Sequence, residues 1–175
     1  MIGTSGSGKS TLARELAAIM GCPWLELDSV YHQAGWTPLD TAEFQRRVTA
    51  ETGAERWVID GGYSAVRPVI WERADTVVWL DLPRRVVMWR ITRRTVSRAA
   101  TRRELWNGNR ERWQNLFSWD RDRSMLAWAW QTYDSRRERY TAAMSAPEHA
   151  HLRFVRLTSP GAVRRFLRAA RSGGD

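Results

Sequence analysis

Residues 3–10, G-T-S-G-S-G-K-S, decide the fold of this chain. The stretch contains Lys9, which is the only lysine among 28 basic residues, so that 27 are arginine. An arginine guanidinium is a wide planar fork, whereas a lysine ammonium is a compact point charge on a flexible stem. A backbone loop wrapped closely around a phosphate has room for the ammonium, so the sequence predicts a phosphate site at Lys9.

The same stretch fits the pattern G-x-x-x-x-G-K-[ST] of a phosphate-binding loop, or P-loop. Its glycines allow several backbone N–H groups to point at an anion, and the helix that follows adds free N–H groups of its own. We expect Lys9 to reach the β- and γ-phosphates and Ser10 to ligate Mg²⁺. The alternative is a Gly/Ser linker, but Leu12, Leu16 and Ile19 then recur with helical spacing. The predicted nucleotide-binding residues are Gly3, Thr4, Ser5, Gly6, Ser7, Gly8, Lys9, Ser10 and Thr11.

The segment before the loop is short. A P-loop follows a buried strand, and strands normally run about five or six residues, but only Met1 and Ile2 precede Gly3. We therefore expect a frayed first strand, as a start codon assigned too late or a truncated chain would leave. Adding several apolar residues before Met1 should raise the melting temperature.

Composition and charge restrict the class of protein. The 175 residues are 43% hydrophobic, which is enough for one domain, residues 1–175, with a small insertion. The formal net charge of +9 predicts an anionic partner. Nucleotides and phosphorylated compounds satisfy that charge, and nucleic acid is possible but less favoured. No stretch is long enough for a membrane span and Cys22 has no partner for a disulfide, so we expect a cytoplasmic protein without a membrane partner.

Apolar runs alternate with helical stretches, which predicts an α/β fold with a parallel sheet and helices on both of its faces. Five strands are expected if the short first one is counted. The other predicted strands are 24–27, 57–60, 76–82 and 153–157, and the predicted helices are 11–20, 41–53, 65–73, 83–98, 121–144 and 160–170.

Three aspartates are predicted at the carboxyl ends of strands, where open parallel sheets bind ligands. Asp28 is a candidate general base for an acceptor hydroxyl, with a helix or turn cap as the alternative. Asp60 precedes two glycines that allow close approach of a substrate, or it caps a turn. Asp81 follows an apolar strand and is a candidate Mg²⁺ ligand, with a structural or a P-loop-supporting role as the alternative. His32, four residues after Asp28, is predicted either to contact the substrate or to be a polar surface residue. The predicted acceptor-binding residues are Asp28, His32, Asp60, Gly61 and Gly62.

Residues 93–139 contain twelve arginines and five tryptophans. A phosphoryl-transfer site needs cations around the transferred group and must exclude water, and a lid that carries arginines does both. We expect such a lid at about 99–118, with Arg94, Arg98, Arg102 and Arg103 as candidates for the catalytic cations. Alternatives are a solvated helix face and a nucleic-acid surface with stacked tryptophans.

The P-loop, together with L-E-L-D-S-V-Y-H-Q-A-G-W-T-P (25–38), W-V-I-D-G-G-Y-S (57–64) and R-A-D-T-V-V-W-L-D-L-P-R (73–84), resembles the adenylate-kinase-like DNA topology modulation proteins related to FlaR. The resemblance implies a five-stranded fold of the nucleoside-monophosphate-kinase type, with ATP or GTP bound at residues 3–11 and an arginine-bearing lid after the Pro83 helix. The arginine that nucleoside monophosphate kinases place after the second strand has no clear counterpart here. The acceptor could therefore be a small hydroxyl compound instead of a nucleoside monophosphate.

The leading hypothesis is a kinase that transfers the γ-phosphoryl group of ATP or GTP, with Mg²⁺, to a small acceptor. Lys9, Asp28, Arg94, Arg98 and Arg102 would be catalytic. Ser10 and Asp81 would hold the metal. The competing hypothesis is a nucleotide-dependent DNA-binding module with little turnover.

Overall fold

The computed structural model describes residues 1–101, 104–109 and 125–173. In these residues the strands form two parallel sheets, ordered β1-β4-β5 and β2-β3, where a single sheet of five strands was predicted. The five strands are β1 Ile2–Gly3, β2 Trp24–Glu26, β3 Val58–Asp60, β4 Thr76–Leu80 and β5 Arg153–Leu157.

The length of β1 explains why the sheet is divided. The strand has two residues, as the short first segment predicted, and both pair with β4. Contact with β3 is limited to Met1, whose amino group donates to the Ile59 carbonyl at 2.7 Å. The Met1 carbonyl in turn accepts from the Gly61 N–H at 3.2 Å. Two hydrogen bonds therefore join the sheets, so that the spatial order is β2-β3-β1-β4-β5.

The helices cover both faces of the strands, and their bounds differ from the predicted ones by a few residues. The largest difference follows β2, where a short helix begins at Leu27, a residue predicted to continue the strand. Within the described ranges, 3-10 turns lie between helices or strands at Ala34–Trp36, Trp106–Gly108 and Pro147–His149. The helices are α1 Lys9–Met20, α2 Leu27–Tyr31, α3 Thr41–Glu51, α4 Arg67–Arg73, α5 Arg84–Thr101, α6 Met125–Met144 and α7 Pro160–Ser172.

Strand β4 is buried on both faces, as expected of the central strand of a parallel sheet. Val77 and Trp79 pack on one face with Trp71 and Tyr140, while Val78 packs on the other with Leu12. This arrangement brings the ends of β1, β3 and β4 together on one side of the molecule. No helix in the described part of the chain is long and apolar enough to cross a lipid bilayer.

Candidate active site

Residues 3–10 comprise the end of β1, a loop at residues 4–8 and the start of α1, in a conformation that only glycine-rich sequence can adopt. Gly3, Gly6 and Gly8 have φ values of +147°, +77° and +96°. A Cβ on Gly6 would lie 2.3 Å from Cγ1 of Ile91 in α5, so this glycine is also required by packing. The Ser7 hydroxyl is buried without a hydrogen-bond partner among the described residues. These features fit a loop that encloses a phosphate group.

Two arginines of α5 hold this loop from the side. Arg90 donates to the Ser7 carbonyl at 2.8 Å, and Arg94 donates to the Ser5 hydroxyl at 3.0 Å. Arg98 lies one turn further along the same half-buried face of α5. The structure thus brings Arg94 to the phosphate loop, whereas Arg102 and Arg103 lie outside the described residues.

Lys9, the first residue of α1, is half-buried among charged groups. Burial lowers the pKa of its ammonium, and the nearby Arg94 and Arg136 add to this effect. Asp28 and Asp60 act in the opposite direction. The lysine therefore lies within electrostatic range of two carboxylates and of two arginines from different helices.

Ser10, the predicted metal ligand of the loop, donates its hydroxyl hydrogen to Oδ2 of Asp60 at 2.6 Å. The other oxygen of Asp60 accepts from the Trp24 indole at 3.0 Å. Asp60 is 2% exposed and ends β3. A hydroxyl beside a carboxylate at the start of the P-loop helix is a donor set that suits Mg²⁺.

Asp81 has a different environment from the one predicted for a metal ligand. Its Oδ2 accepts from Nε of Arg156 at 2.9 Å and from Nε of Arg137 at 3.2 Å. The carboxylate is thus neutralised by Arg156 of β5 and Arg137 of α6. The Ser10 hydroxyl donates to Asp60 and not to Asp81. This geometry matches the structural alternative for Asp81.

Asp28 was predicted at the end of β2. The structure places it instead in the first turn of α2. Its Oδ1 accepts from the Tyr63 hydroxyl at 2.6 Å, and that hydroxyl is also 3.3 Å from Nε2 of His32. Burial and the adjacent Asp28 raise the pKa of Tyr63, so that its hydroxyl stays protonated and orients the carboxylate. Burial lowers the pKa of His32, which favours the neutral imidazole.

Two neighbouring arginines, Arg67 of α4 and Arg136 of α6, form no ion pair with a carboxylate among the described residues, and Arg136 lies within electrostatic range of Asp28. One terminal nitrogen of Arg67 is buried without a hydrogen bond, and its guanidinium lies 5.5 Å from the centre of the Trp71 ring. Burial lowers the pKa of Arg136, whose side chain lies over Trp128 at 4.2 Å. Arg67 and Arg136, together with Gly62, border what we call the acceptor recess. Two cations that form no ion pair there suit an anionic group.

The two glycines after β3 give this recess its shape. A Cβ on Gly61 would lie 2.7 Å from Cβ of Leu27, and a Cβ on Gly62 would lie 2.8 Å from the Tyr140 hydroxyl. Nη1 of Arg136 is 3.7 Å from the same position at Gly62. Any larger residue would occupy the space between β3 and α6.

Residues 104–109, the described part of the predicted lid, contact the region around α2. The Trp106 indole donates to Glu26 at 2.7 Å, and Asn109 donates to the Gln33 carbonyl at 2.9 Å. Trp106 also stacks on His32, with ring centroids 5.9 Å apart. Burial raises the pKa of Glu26, against the hydrogen bond from Trp106. The segment therefore covers the side of the recess that contains His32.

Sequence reasoning did not select Glu26, Tyr63, Arg67, Arg90 or Arg136 for the site. Glu26 carried a usable signal, because it precedes Asp28 by two residues at the end of a strand. The other four come from helices or loops far along the chain, and their convergence depends on tertiary packing.

The comparisons with known proteins agree with this geometry at the level of the fold. No protein-family model matches the chain. Shikimate kinase 2, chloroplastic, of Oryza sativa subsp. japonica is 32% identical over 98 residues, which cover 47% of this chain and 32% of the plant protein. The match thus spans about a third of that relative's length. A gluconokinase from Sinorhizobium meliloti 1021 superposes over 99% of this chain and 88% of its own, with a TM-score of 0.51 and 18% identity.

These two likenesses indicate a kinase-like P-loop fold of the α/β class. The narrower resemblance to topology modulation proteins is not confirmed by them and stays a prediction. Neither comparison supports the DNA-binding alternative.

Proposed function

We propose that this chain is an ATP-dependent phosphotransferase that acts on a hydroxyl group of a small anionic acceptor. The observation that carries the proposal is the convergence of the P-loop lysine with an oriented carboxylate. Lys9 lies within electrostatic range of Asp28, which Tyr63 holds through one oxygen. The kinase names of the two similar proteins favour the same class of reaction.

The nucleotide would occupy residues 3–11. The N–H groups of the loop and the Lys9 ammonium would bind the β- and γ-phosphates, while Arg90 and Arg94 keep the loop in shape. Ser10 and Asp60, with Glu26 nearby, would hold Mg²⁺ in place of the predicted pair Ser10 and Asp81. The metal would neutralise part of the charge on the phosphates.

Asp28 would act as the base. One of its oxygens accepts from Tyr63, and the other accepts no hydrogen bond among the described residues, which leaves it available for an acceptor hydroxyl. As the acceptor oxygen bonds to the γ-phosphorus, its proton passes to Asp28 and the bond from phosphorus to the β–γ bridging oxygen breaks, releasing ADP. Arg94 would stabilise the charge that develops on the γ-phosphoryl oxygens.

Arg67 and Arg136 favour an acceptor with a carboxylate or phosphate. Their charges are partly desolvated and unpaired within the described residues, so that an anionic substrate group would supply the missing counterion. His32 and Trp106 would form the opposite wall.

The test is an ADP-release assay with Mg·ATP and a panel of hydroxy acids, neutral polyols and nucleoside monophosphates. We expect turnover that depends on an anionic acceptor and falls at least 100-fold in Lys9→Ala. Arg136→Gln should raise the KM for that acceptor about tenfold or more, because a charged hydrogen bond is lost. Arg139→Gln, an exposed arginine on the same helix, is the matched control and should leave KM unchanged. Salt-sensitive DNA binding without acceptor-dependent turnover would contradict the proposal.

A further inference from the structure

Two indole groups hold the two carboxylates that lie beside Ser10. Trp24 of β2 donates to Oδ1 of Asp60 at 3.0 Å, and Trp106 donates to Oε2 of Glu26 at 2.7 Å. Trp24 belongs to the sheet, whereas Trp106 belongs to the segment 104–109, which covers one side of the acceptor recess. The carboxylates at the start of the P-loop helix are therefore held partly from the sheet and partly from the covering segment.

Glu26 and Asp60 are neighbours because β2 and β3 pair in parallel. The two residues lie opposite each other in the ladder, and neighbouring strands are about 4.8 Å apart. Burial raises the pKa of Glu26, the Trp106 hydrogen bond opposes this shift, the charge of Asp60 adds to it and Ser10 opposes it. Glu26 thus lies within interaction range of Asp60 and Ser10, the pair that would hold Mg²⁺.

The Trp106 side chain contacts the carboxylates and the recess with different parts. Its N–H donates to Glu26, while its ring stacks on His32 with an angle of 21° between the planes and 5.9 Å between the centroids. Asn109, in the same segment, donates instead to the backbone carbonyl of Gln33. Trp106 therefore joins a strand-end carboxylate to the wall of the recess through one rigid side chain.

Two adjacent carboxylates repel each other, which favours arrangements that separate Glu26 from Asp60. A divalent cation held by both would remove this repulsion and fix Glu26 where Trp106 donates to it. Groups that hydrogen-bond to a metal-ligating side chain typically change the metal affinity by about 10- to 100-fold. Coupling between two binding events is reciprocal, so the metal would strengthen the attachment of Trp106 by as much as Trp106 strengthens the binding of the metal.

We propose that Trp106 is a positioning residue, which holds Glu26 as a further oxygen donor beside Ser10 and Asp60 and thereby couples Mg²⁺ binding to the attachment of residues 104–109. The His32 side of the recess is then more firmly covered once the metal–nucleotide complex is bound. This inference rests on the proposed function for its metal site, but not for the identity of the acceptor.

The test measures hydrogen exchange at the Leu105 and Asn109 amides, whose hydrogen bonds lie within the segment, at 2.7 and 3.2 Å. With ADP bound, saturating Mg²⁺ should slow exchange at both amides about tenfold relative to ADP with a metal chelator. Trp106→Phe keeps an aromatic ring against His32 but lacks the indole N–H. This variant should bind Mg²⁺ about tenfold more weakly, as measured by calorimetry, and at saturating Mg²⁺ its slowing should be less than twofold.

Trp24→Phe is the matched control, because it removes the indole N–H from the other carboxylate of the pair. It should weaken Mg²⁺ binding to a similar extent, but at saturating Mg²⁺ it should keep the slowing at Leu105 and Asn109. Glu26→Gln retains an oxygen for the Trp106 N–H but loses the charge that attracts the metal, so ADP should still bind while the slowing is lost.

Equal slowing in Trp106→Phe and in the unaltered chain would overturn the proposal, and so would an unaltered chain in which Mg²⁺ has no effect on exchange. Slowing that depends on Trp106 in a chain without acceptor-dependent turnover would support the coupling and contradict the proposed function alone.

Discussion

Asp28 and Tyr63 are 35 residues apart and form the most specific polar contact of the candidate acceptor site. A tyrosine that stays protonated donates to one carboxylate oxygen and so fixes the direction of the other. Tyr63 would orient the carboxylate and Asp28 would accept the proton. Substitutions at the two residues therefore measure these two contributions to catalysis separately.

Asp28→Asn should lower acceptor-dependent kcat by about 10²–10⁴, because the amide cannot accept the hydroxyl proton. Nucleotide affinity should stay within about twofold, since the P-loop is not altered. Tyr63→Phe keeps the Asp28 carboxylate, so acceptor-dependent kcat should fall by about tenfold or less. Steady-state kinetics and nucleotide titration check both variants. An Asp28→Asn enzyme with unchanged kcat would exclude the role of base.

Asp60 and Asp81 give a second contrast between two strand-end carboxylates. Asp60→Asn should raise the Mg²⁺ concentration needed for half-maximal activity by about 10-fold or more, because Ser10 loses its charged partner. Asp81→Asn should leave that concentration unchanged but lower the free energy of unfolding by about 2 kcal/mol, since Arg156 and Arg137 lose their counterion. Metal titration and urea unfolding distinguish the two. The reverse result would restore Asp81 as the metal ligand.

At the scale of elements, the contact between residues 104–109 and the 3-10 turn Ala34–Trp36 depends on Asn109. This side chain accepts from the Trp36 N–H at 2.8 Å and donates to the Gln33 carbonyl at 2.9 Å. Trp36 has φ of +60°, a conformation that is unfavourable for tryptophan. The asparagine therefore holds together two tight turns that enclose the acceptor recess.

Asn109→Ala should raise the acceptor KM several-fold while the ATP KM changes less, because residues 104–109 would no longer be held over the recess. Protease cleavage in this segment should accelerate in parallel. Asn107→Gly is the comparison: glycine retains the positive φ, and this exposed residue loses the hydrogen bond from its Nδ2 to the His32 carbonyl at 2.6 Å, so we expect a smaller effect than from the buried Asn109. Equal effects of the two substitutions would contradict this role of Asn109.

Local patterns in the sequence were sufficient for part of this description. The P-loop, the buried β4 and the last helix each have a signal within a few consecutive residues, and each lies where it was predicted. The start of α2 at Leu27 was missed because Leu-Glu-Leu continues an apolar strand pattern, and only the tertiary structure turns the chain there. The ion pairs of Asp81 could not be predicted from local sequence, because Arg156 and Arg137 lie more than 50 residues away along the chain.

At the scale of the whole molecule, the buried amino group of Met1 links stability to pH. Burial lowers its pKa from 8.0 to about 6, with Asp60 opposing the shift and Lys9 adding to it. The unfolded chain keeps this proton up to about pH 8, whereas the folded chain releases it above about pH 6. Unfolding then takes up a proton between these values, so the free energy of unfolding rises with pH from 6 to 8.

Two pKa units correspond to an increase of about 2–3 kcal/mol across that interval, which urea unfolding at pH 6 and pH 8 can measure. His32, whose pKa is also lowered, acts in the same direction only below about pH 6.5. A chain acetylated at Met1 retains His32 but carries no titratable amino group and should show a smaller rise. Identical pH dependence in both chains would rule out this origin.

The position of Met1 also bears on how the protein is produced in quantity. An affinity tag joined to Met1 would replace the amino group that donates to the Ile59 carbonyl at 2.7 Å, and its effect on folding would be confused with that of any substitution under study. Residues 171–173, at the end of α7, are exposed. Recombinant material for comparing variants should therefore carry its tag at the carboxyl end.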